Sequence, residues 1–190
     1  MTQARSLASS PPDIAGIAAR LDRPIVLVGL MGTGKSTVGR RLAALLGTGF
    51  VDTDEEIERA AARSVSEIFA QFGELHFRDG ERRVISRLLR ERHGVIATGG
   101  GAFVDPATRA LLLDRAIAVW LDCDIDTLVE RTARRNTRPL LRGGDPRAIL
   151  TTLHAERAPL YAKAHCRVVT NDAPHHATAL RIIEALRTCL

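Results

Sequence analysis

Two neighbouring stretches of the sequence carry residue types suited to holding a nucleotide. The first, GLMGTGKST at 29–37, fits the pattern G-x-x-x-x-G-K-[ST], whose glycines let backbone amides turn toward phosphate oxygens. A helix beginning near Lys35 adds the positive end of its dipole, Lys35 reaches the β- and γ-phosphates, and the Ser36 hydroxyl ligates Mg²⁺. A glycine-rich turn with a chance lysine is the alternative. The residues predicted to bind the nucleotide are Gly32, Thr33, Gly34, Lys35, Ser36 and Thr37.

The second stretch, FVDTD at 50–54, places Asp52 and Asp54 on either side of a threonine at the end of an apolar run. A carboxylate in that position can hold Mg²⁺ directly or through water, because this ion prefers hard oxygen ligands and keeps several waters. Asp52 is therefore a candidate metal residue together with Ser36. Either aspartate could instead cap the acid-rich helix that follows. The pattern alone leaves Asp54 open between capping and a part in the chemistry.

Three consecutive glycines, Gly99–Gly101, end a further apolar run in the stretch TGGGAF. Such a run is costly in backbone entropy. It is explained if a ligand lies against the backbone and accepts hydrogen bonds from these amides. A tight turn into the next helix is the simpler alternative.

Two arginines are candidates for binding an anionic acceptor. Arg78 lies in FGELHFRDGE, on a predicted helix, and Arg157 lies in RAPLY, just before a helix end that the proline is expected to break. Each arginine taken alone is most simply a surface residue. Phe69 and Phe77 either form an apolar wall beside Arg78 or belong to the core.

The stretch RRNTRPLLRGGDP, 134–146, combines arginines with prolines and glycines. This composition favours a mobile lid at about 134–147, which would close over the site, exclude water and supply a further cation. A solvated basic loop is the alternative.

The elements that must position these residues are short apolar runs alternating with helical patterns. Strands are predicted at 24–29, 49–52, 94–98, 116–122 and 166–170, and helices include 13–21, 35–47 and 74–92. This alternation predicts an α/β fold with a mainly five-stranded parallel sheet between two helix layers, with strands buried on both faces. Ligands of such sheets bind beyond the carboxyl ends of the strands, where the candidate residues lie.

Composition narrows the class of protein. The 190 residues suffice for one domain at 24–190, preceded by an N-terminal extension at 1–23 that is partly disordered or a short helix. No apolar run approaches the roughly 20 residues that a membrane helix needs. A net charge of +5 suits anionic ligands, but scattered arginines and only seven aromatic residues argue against nucleic acid. Three separated cysteines without metal-site spacing indicate reduced thiols in a cytoplasm, and no long apolar stripe is left over, so we expect a monomer.

Taken together, these stretches resemble shikimate kinases in order and spacing over about residues 24–171. The matching stretches are GLMGTGKSTVGRRLA, FVDTDEEIE, SVSEIFAQFGELHFRDGE, VIATGGGAFV, TRPLL and ERAPLY. The resemblance implies a P-loop kinase fold and ATP-dependent phosphorylation of the 3-hydroxyl of shikimate, on the way to chorismate and the aromatic amino acids. It also implies ATP as co-substrate and Mg²⁺ as cofactor.

The resemblance implies roles for individual residues. Asp52 corresponds to the magnesium-side carboxylate and Asp54 to the residue that binds the substrate's hydroxyls. Arg78 and Arg157 correspond to the arginines that hold the substrate carboxylate. The contact to the ring hydroxyls comes from Gly100, with Gly99 and Gly101. Arg138 is implied to bind the ATP phosphates and, with Lys35 and Asp54, to be catalytic.

The sequence departs from the family pattern after the last strand, where NDAPHHATAL lacks the arginine that some relatives place near the adenine. Asn171, backbone groups and Arg135 remain candidates for holding the base. Rival interpretations are a gluconate or nucleoside monophosphate kinase, a nucleotide switch, and a ligand sensor on a kinase fold. The paired arginines favour an acceptor with a carboxylate, and no D-x-x-G or N-K-x-D switch motif follows the P-loop.

Overall fold

The computed structural model describes residues 13–91, 94–133, 144–171 and 173–190. Within these ranges eight helices and five strands follow one another along the chain. Their bounds are α1 (Ile14–Arg20), β1 (Ile25–Val28), α2 (Lys35–Leu46), β2 (Phe50–Asp52), α3 (Thr53–Ala61), α4 (Val65–Arg90), β3 (Val95–Ala97), α5 (Pro106–Arg115), β4 (Ile117–Asp122), α6 (Ile125–Ala133), α7 (Pro146–Tyr161), β5 (Cys166–Val169) and α8 (His175–Leu186).

All five strands form one parallel sheet in the order β2-β3-β1-β4-β5. Leu27 in the central strand β1 pairs with Ala97 of β3 on one side and Val119 of β4 on the other. The five predicted strand runs are confirmed, and all five are shorter than predicted by one or two residues. The parallel arrangement brings the carboxyl ends of β1, β2 and β3 to one edge, so the loops that follow them meet there.

The two faces of the sheet bury different layers of helices. From β1, Val26 and Val28 point into the core formed with α4 to α7, whereas Ile25 and Leu27 point into the core formed with α1, α2 and α8. These are the two outer layers of the predicted three-layer α/β/α fold. Ile17 of α1 is buried in the second core, so α1 packs onto the domain although it lies within the N-terminal extension predicted at 1–23.

The prediction that all strands are buried on both faces is wrong at the sheet edges. Strands β1, β3 and β4 are buried throughout, but β2 is half-buried and β5 exposes two of its four residues. Each of these edge strands has one neighbouring strand instead of two, so less of the protein packs around its side chains.

Two helices differ from their predictions. Helix α4 begins at Val65, where Ser64 and Glu67 form a capping box, and its second half starts after a kink at Gly73 (φ 78°). Helix α7 was expected to break at its proline but continues through Pro159 to Tyr161. The proline lies in the last turn, where it removes few helical hydrogen bonds, and the buried Tyr161 holds the end of the helix against the core.

Two further features bear on the predictions. Of the predicted lid, residues 134–143 lie outside the described residues, and α7 already begins at Pro146 with Asp145 as its N-cap. Among the helices of the described ranges, none combines the length and apolar character needed to cross a membrane.

Candidate active site

A cavity of about 410 Å³ opens at the edge where β1, β2 and β3 end. Its wall includes residues from the P-loop, from both sides of Thr53 and from the glycine turn after β3. The predicted site residues in this wall are Gly32, Gly34, Lys35, Ser36, Thr37, Asp52, Asp54, Gly99 and Gly100. The fold therefore assembles most of the candidate residues around one space.

The P-loop adopts the conformation that its glycines permit. Gly34 has a φ of 88°, a left-handed geometry that favours glycine, and α2 starts at the next residue. The Lys35 ammonium is buried, and its Nζ donates hydrogen bonds of 2.8 Å to the carbonyl oxygens of Gly29 and Leu30. The lysine is thus held inside the loop at the start of the helix, where a phosphate would meet both its charge and the helix dipole.

Ser36 and Asp52 meet across the cavity wall. The Ser36 hydroxyl donates a 2.6 Å hydrogen bond to Oδ2 of Asp52. Oδ1 of Asp52 accepts the amide of Asp54 at 3.0 Å and caps α3. The capping role left open for Asp54 therefore belongs to Asp52, and Asp54 lies in the first turn of α3 with its residue lining the cavity.

The backbone groups of the glycine turn have distinct partners. The Gly99 amide donates to Oγ1 of Thr53 at 3.1 Å, and the Gly99 carbonyl accepts from Ala102. The amides of Gly100 and Gly101 have no protein acceptor within the described residues. All three amides were expected to bind a ligand, but the Gly99 amide is already bound to Thr53 of α3. The amides of Gly100 and Gly101 remain candidates.

Charged side chains crowd the same turn. A Cβ at Gly99 would stand 2.9 Å from Oδ1 of Asp54 and 2.9 Å from Oε1 of Glu81, and a Cβ at Gly101 would overlap the Arg78 guanidinium. A side chain at either position would therefore displace these charged groups, which approach the backbone closely. The turn thus connects α3, which carries Asp54, with α4, which carries Arg78.

Glu81 is a site residue that the sequence analysis missed. It is 1% exposed, and its Oε2 accepts a 2.6 Å salt bridge from Nη1 of Arg78. Among the buried side-chain nitrogen and oxygen atoms of the described residues, its Oε1 is the one without a hydrogen-bond partner. The signal that could have found it is the spacing of three residues from Arg78, which places an acid and a base on one helix face.

The two partners influence each other's ionisation. Burial raises the pKa of Glu81; the Arg78 charge opposes this, and the negative charges of Asp54 and Asp105 add to it. Burial by itself lowers the pKa of Arg78, but Glu81 and Glu74 outweigh it and the net shift is upward. Arg78 therefore stays a cation beside the turn, held by Glu81 in one orientation.

Arg157 of α7 also contacts the glycine turn. Its Nη1 donates to the Gly100 carbonyl at 3.4 Å, and the Tyr161 hydroxyl donates to the same oxygen at 2.5 Å. The Arg78 guanidinium lies against Gly101 and that of Arg157 against the preceding Gly100, so both groups lie at the same turn. The structure thus brings together the two arginines that the sequence proposed as a pair.

Arg131 of α6 is a second residue that the sequence analysis missed. Its Nη2 donates to the carbonyls of Thr170 and Asn171 at 2.9 and 3.0 Å, and Arg131 lines the cavity with His175. The Asn171 side chain, one of the predicted contacts for the base, instead accepts the amide of Asp124 at 3.2 Å. No short motif marks Arg131 in the sequence, because its partners come from the end of β5.

The remaining predicted residues lie elsewhere. The Thr33 side chain is buried and donates to the Leu30 carbonyl at 2.9 Å, and its amide and carbonyl are bound to Leu30 and Thr170, so Thr33 does not line the cavity. Phe77 packs in a small core with Ile57 and Ile68, and its ring is 4.4 Å from that of Phe69, which favours the core role for both. Arg138 and Arg135 lie outside the described residues.

Comparison with known proteins places this site in a family. The family model for shikimate kinase matches residues 31–187. A shikimate kinase from Novosphingobium aromaticivorans is 57% identical over 181 residues, which cover 93% of this chain and 94% of that protein. Another, from Caulobacter vibrioides, is 55% identical and covers 92% of this chain and 86% of that protein.

Solved structures agree with the sequence relatives. A shikimate kinase from Acinetobacter baumannii in complex with shikimate superimposes with a TM-score of 0.84 at 39% identity, covering 88% of this chain and 94% of that one. A gluconokinase from Sinorhizobium meliloti reaches 0.52 at 19% identity, which shows a shared fold alone. With a family model spanning most of its length and relatives more than half identical to it, the chain belongs to the shikimate kinase family.

Proposed function

We propose that this chain transfers the γ-phosphoryl group of ATP to the 3-hydroxyl of shikimate, giving shikimate 3-phosphate and ADP, in the synthesis of chorismate and the aromatic amino acids. The observation that carries the proposal is the glycine turn after β3. This turn borders the phosphate cavity and lies against Asp54. It also contacts Arg78 of α4 and Arg157 of α7. An acceptor with one carboxylate and several hydroxyls matches this set of groups.

The phosphate half of the site uses the P-loop. Its amides and the start of α2 hold the β- and γ-phosphates, and Lys35 turns from the loop carbonyls toward phosphate oxygens. Phosphoryl transfer depends mainly on positioning and on neutralising charge, so a buried ammonium at this place stabilises the transition state. Thr37, which lines the cavity, contributes its hydroxyl.

The residues present suit a magnesium ion. Ser36 Oγ and Asp52 Oδ2 are 2.6 Å apart at the cavity wall, and both are hard oxygen ligands. These two residues would hold the ion, with waters and phosphate oxygens as its other ligands. When bound, Mg²⁺ neutralises phosphate charge.

The acceptor half uses the residues around the turn. Arg78, oriented by Glu81, and Arg157 bind the carboxylate, and the amides of Gly100 and Gly101 bind further oxygens of the acceptor. Asp54 accepts hydroxyl protons and orients the attacking oxygen toward the γ-phosphate. A full general base is not required, because a loose transition state needs the hydroxyl proton removed only late.

The base of ATP lies at the far end of the cavity in this proposal, next to Arg131 and His175. Hydrogen bonds to two carbonyls hold the planar Arg131 guanidinium in one orientation. One of its faces can then stack on an aromatic base. Arg138 in the lid completes the charge around the transferred group. We also propose that the protein is a cytoplasmic monomer and that it binds neither nucleic acid nor membranes.

The test is ADP release by purified protein with Mg²⁺ and ATP, in separate reactions with shikimate, quinate, gluconate and AMP. We expect turnover with shikimate far above the rate without acceptor, little with the others, and a 3-phosphate by phosphorus NMR. ATP binding without turnover on shikimate would overturn the proposal in favour of another acceptor or a sensor. Sedimentation analysis tests the monomer.

A further inference from the structure

Tyr161 has a contact that its place in the core does not require. Its ring packs against Trp120 and Phe103, with centroids 6.0 and 6.3 Å away, and the residue is 1% exposed. Its hydroxyl donates a 2.5 Å hydrogen bond to the Gly100 carbonyl. A phenylalanine would fill the same space, so the hydroxyl itself calls for an explanation.

The hydroxyl fixes the orientation of the peptide plane between Gly100 and Gly101. Because the peptide is planar and trans, the Gly101 N–H points away from the Gly100 carbonyl. Holding the carbonyl toward α7 therefore holds this amide toward the opposite side. Three consecutive glycines offer no side chain of their own to keep that orientation.

The same carbonyl also accepts a hydrogen bond from Arg157. Nη1 of Arg157 lies 3.4 Å from the oxygen, a long contact compared with the 2.5 Å of the tyrosine. If the tyrosine hydroxyl were absent, the half-buried carbonyl would draw the guanidinium closer, since hydrogen bonds from a charged donor are the stronger ones. Arg157 would then be less available to an acceptor carboxylate.

We propose that Tyr161 is a positioning residue for the acceptor site, whose hydroxyl satisfies the Gly100 carbonyl and thereby keeps the glycine turn in one orientation and leaves Arg157 available to the acceptor. Burial raises the pKa of Tyr161, although Arg157 and Arg78 oppose the shift, so the hydroxyl remains a donor at neutral pH. The residue acts through Gly100 and Arg157 without touching the reacting atoms. The assignment of the acceptor rests on the proposed function; the effect on the turn does not.

The first test compares Tyr161→Phe with the wild-type chain in steady-state kinetics. We expect the KM for shikimate to rise about five- to twentyfold. The KM for ATP and the kcat at saturating shikimate should stay within about twofold. Leu112→Val is the control, because Leu112 is fully buried in the same core as Tyr161 but lies on α5, and it should lower thermal stability without this split.

A double-mutant cycle separates positioning from packing. In an Arg157→Ala background, Tyr161→Phe should change shikimate affinity by less than about threefold. The reason is that Arg157, through which Tyr161 acts on shikimate binding, is absent from that background. An undiminished effect in that background, a KM for shikimate within twofold of wild type, or an equal rise in the KM for ATP would each overturn the inference.

Amide hydrogen exchange needs no acceptor. Peptides that contain Gly99–Gly101 should exchange their amide hydrogens at least about fivefold faster in Tyr161→Phe than in wild type. Their exchange rate in Leu112→Val should equal that of wild type. Equal exchange in Tyr161→Phe and wild type would contradict the inference. A wild-type chain inactive on shikimate would refute the proposed function instead, and the inference would be decided by exchange alone.

Discussion

Gly101 lies directly beneath the Arg78 guanidinium: a Cβ added to the glycine would stand 2.6 Å from Cζ of the arginine. Real Cβ atoms do not approach other atoms so closely, so an alanine would force the guanidinium or the turn to move. Arg78 has little freedom to move, since Glu81 holds its Nη1 at 2.6 Å. The absence of one side chain thus determines where a charged group can lie.

Gly101→Ala should therefore weaken acceptor binding, raising the KM for shikimate at least about tenfold, or 1.4 kcal/mol. The KM for ATP should change little, because the P-loop is untouched. Gly80→Ala is the matched control on α4, where an added Cβ meets nothing within 4 Å. That variant should keep its kinetics and gain about 0.5–1 kcal/mol in stability. Equal kinetics for the two variants would refute the crowding argument.

Asp52 and Asp54 should be separable by substitution. Asp52→Asn keeps an oxygen that can cap α3 but loses the charge next to Ser36, so it should raise the Mg²⁺ concentration needed for half-maximal activity. Asp54→Asn should retain ATP binding and lower kcat by about 10²-fold or more. Calorimetric titration of ATP and kinetics over a Mg²⁺ series would check both. Retained turnover in Asp54→Asn would remove this residue from the chemistry.

Arg78→Ala and Arg157→Ala should each weaken shikimate binding by about 2–5 kcal/mol, because each leaves a carboxylate underpaired. Arg82→Ala is the control on the same helix; it breaks an exposed pair with Asp79 at 3.0 Å and should stay within about 0.5 kcal/mol. Direct titration of shikimate would measure these losses. If the two variants lost affinity for ATP and kept their affinity for shikimate, the assignment of these arginines to the acceptor half of the site would be wrong.

Glu81→Gln should change how stability depends on pH. The folded-state pKa of Glu81 is raised above its ordinary value of 4.5, so the unfolded chain releases the proton first as the pH rises. The Glu81 contribution is then fully present below pH 4.5 and is lost as the pH rises through the folded-state pKa. Relative to Glu81→Gln, the wild-type free energy of unfolding should fall as the pH increases.

Urea unfolding of both proteins at several pH values would measure that difference. Glu67→Gln supplies a comparison of opposite sign, because hydrogen bonds from Ser64 lower the pKa of Glu67 below its ordinary 4.5. The stability due to Glu67 is present above that value and is lost as the pH falls. Parallel trends in the two variants would contradict the assignment of Glu81 as a buried, poorly solvated carboxylate.

Arg138→Ala should lower kcat by roughly 10²–10³-fold, or about 3–4 kcal/mol of barrier, with smaller effects on shikimate binding. The prediction rests on the sequence of the lid, because this residue lies outside the described ranges. Single-turnover kinetics would isolate the chemical step. A kcat within twofold of wild type would take Arg138 off the catalytic set.

The sequence by itself determined the elements whose signals are local. The P-loop was identifiable because its backbone geometry depends on neighbouring residues, chiefly Gly34 and Lys35. The five strands were identifiable as apolar runs. Asp52 and Asp54, at the junction between one of these runs and an acid-rich helix start, marked the site. Family motifs further supported the roles of Arg78 and Arg157, which composition could not supply.

Tertiary structure decided what depends on contacts between distant segments. It assigned capping to Asp52, bound the Gly99 amide to Thr53, and placed Arg131 against the end of β5. It also joined Tyr161 to Gly100 across 61 positions of the chain. These relationships follow from the packing of α3, α6 and α7 around the sheet, and no periodicity within a short window of sequence can specify which buried donor meets which acceptor.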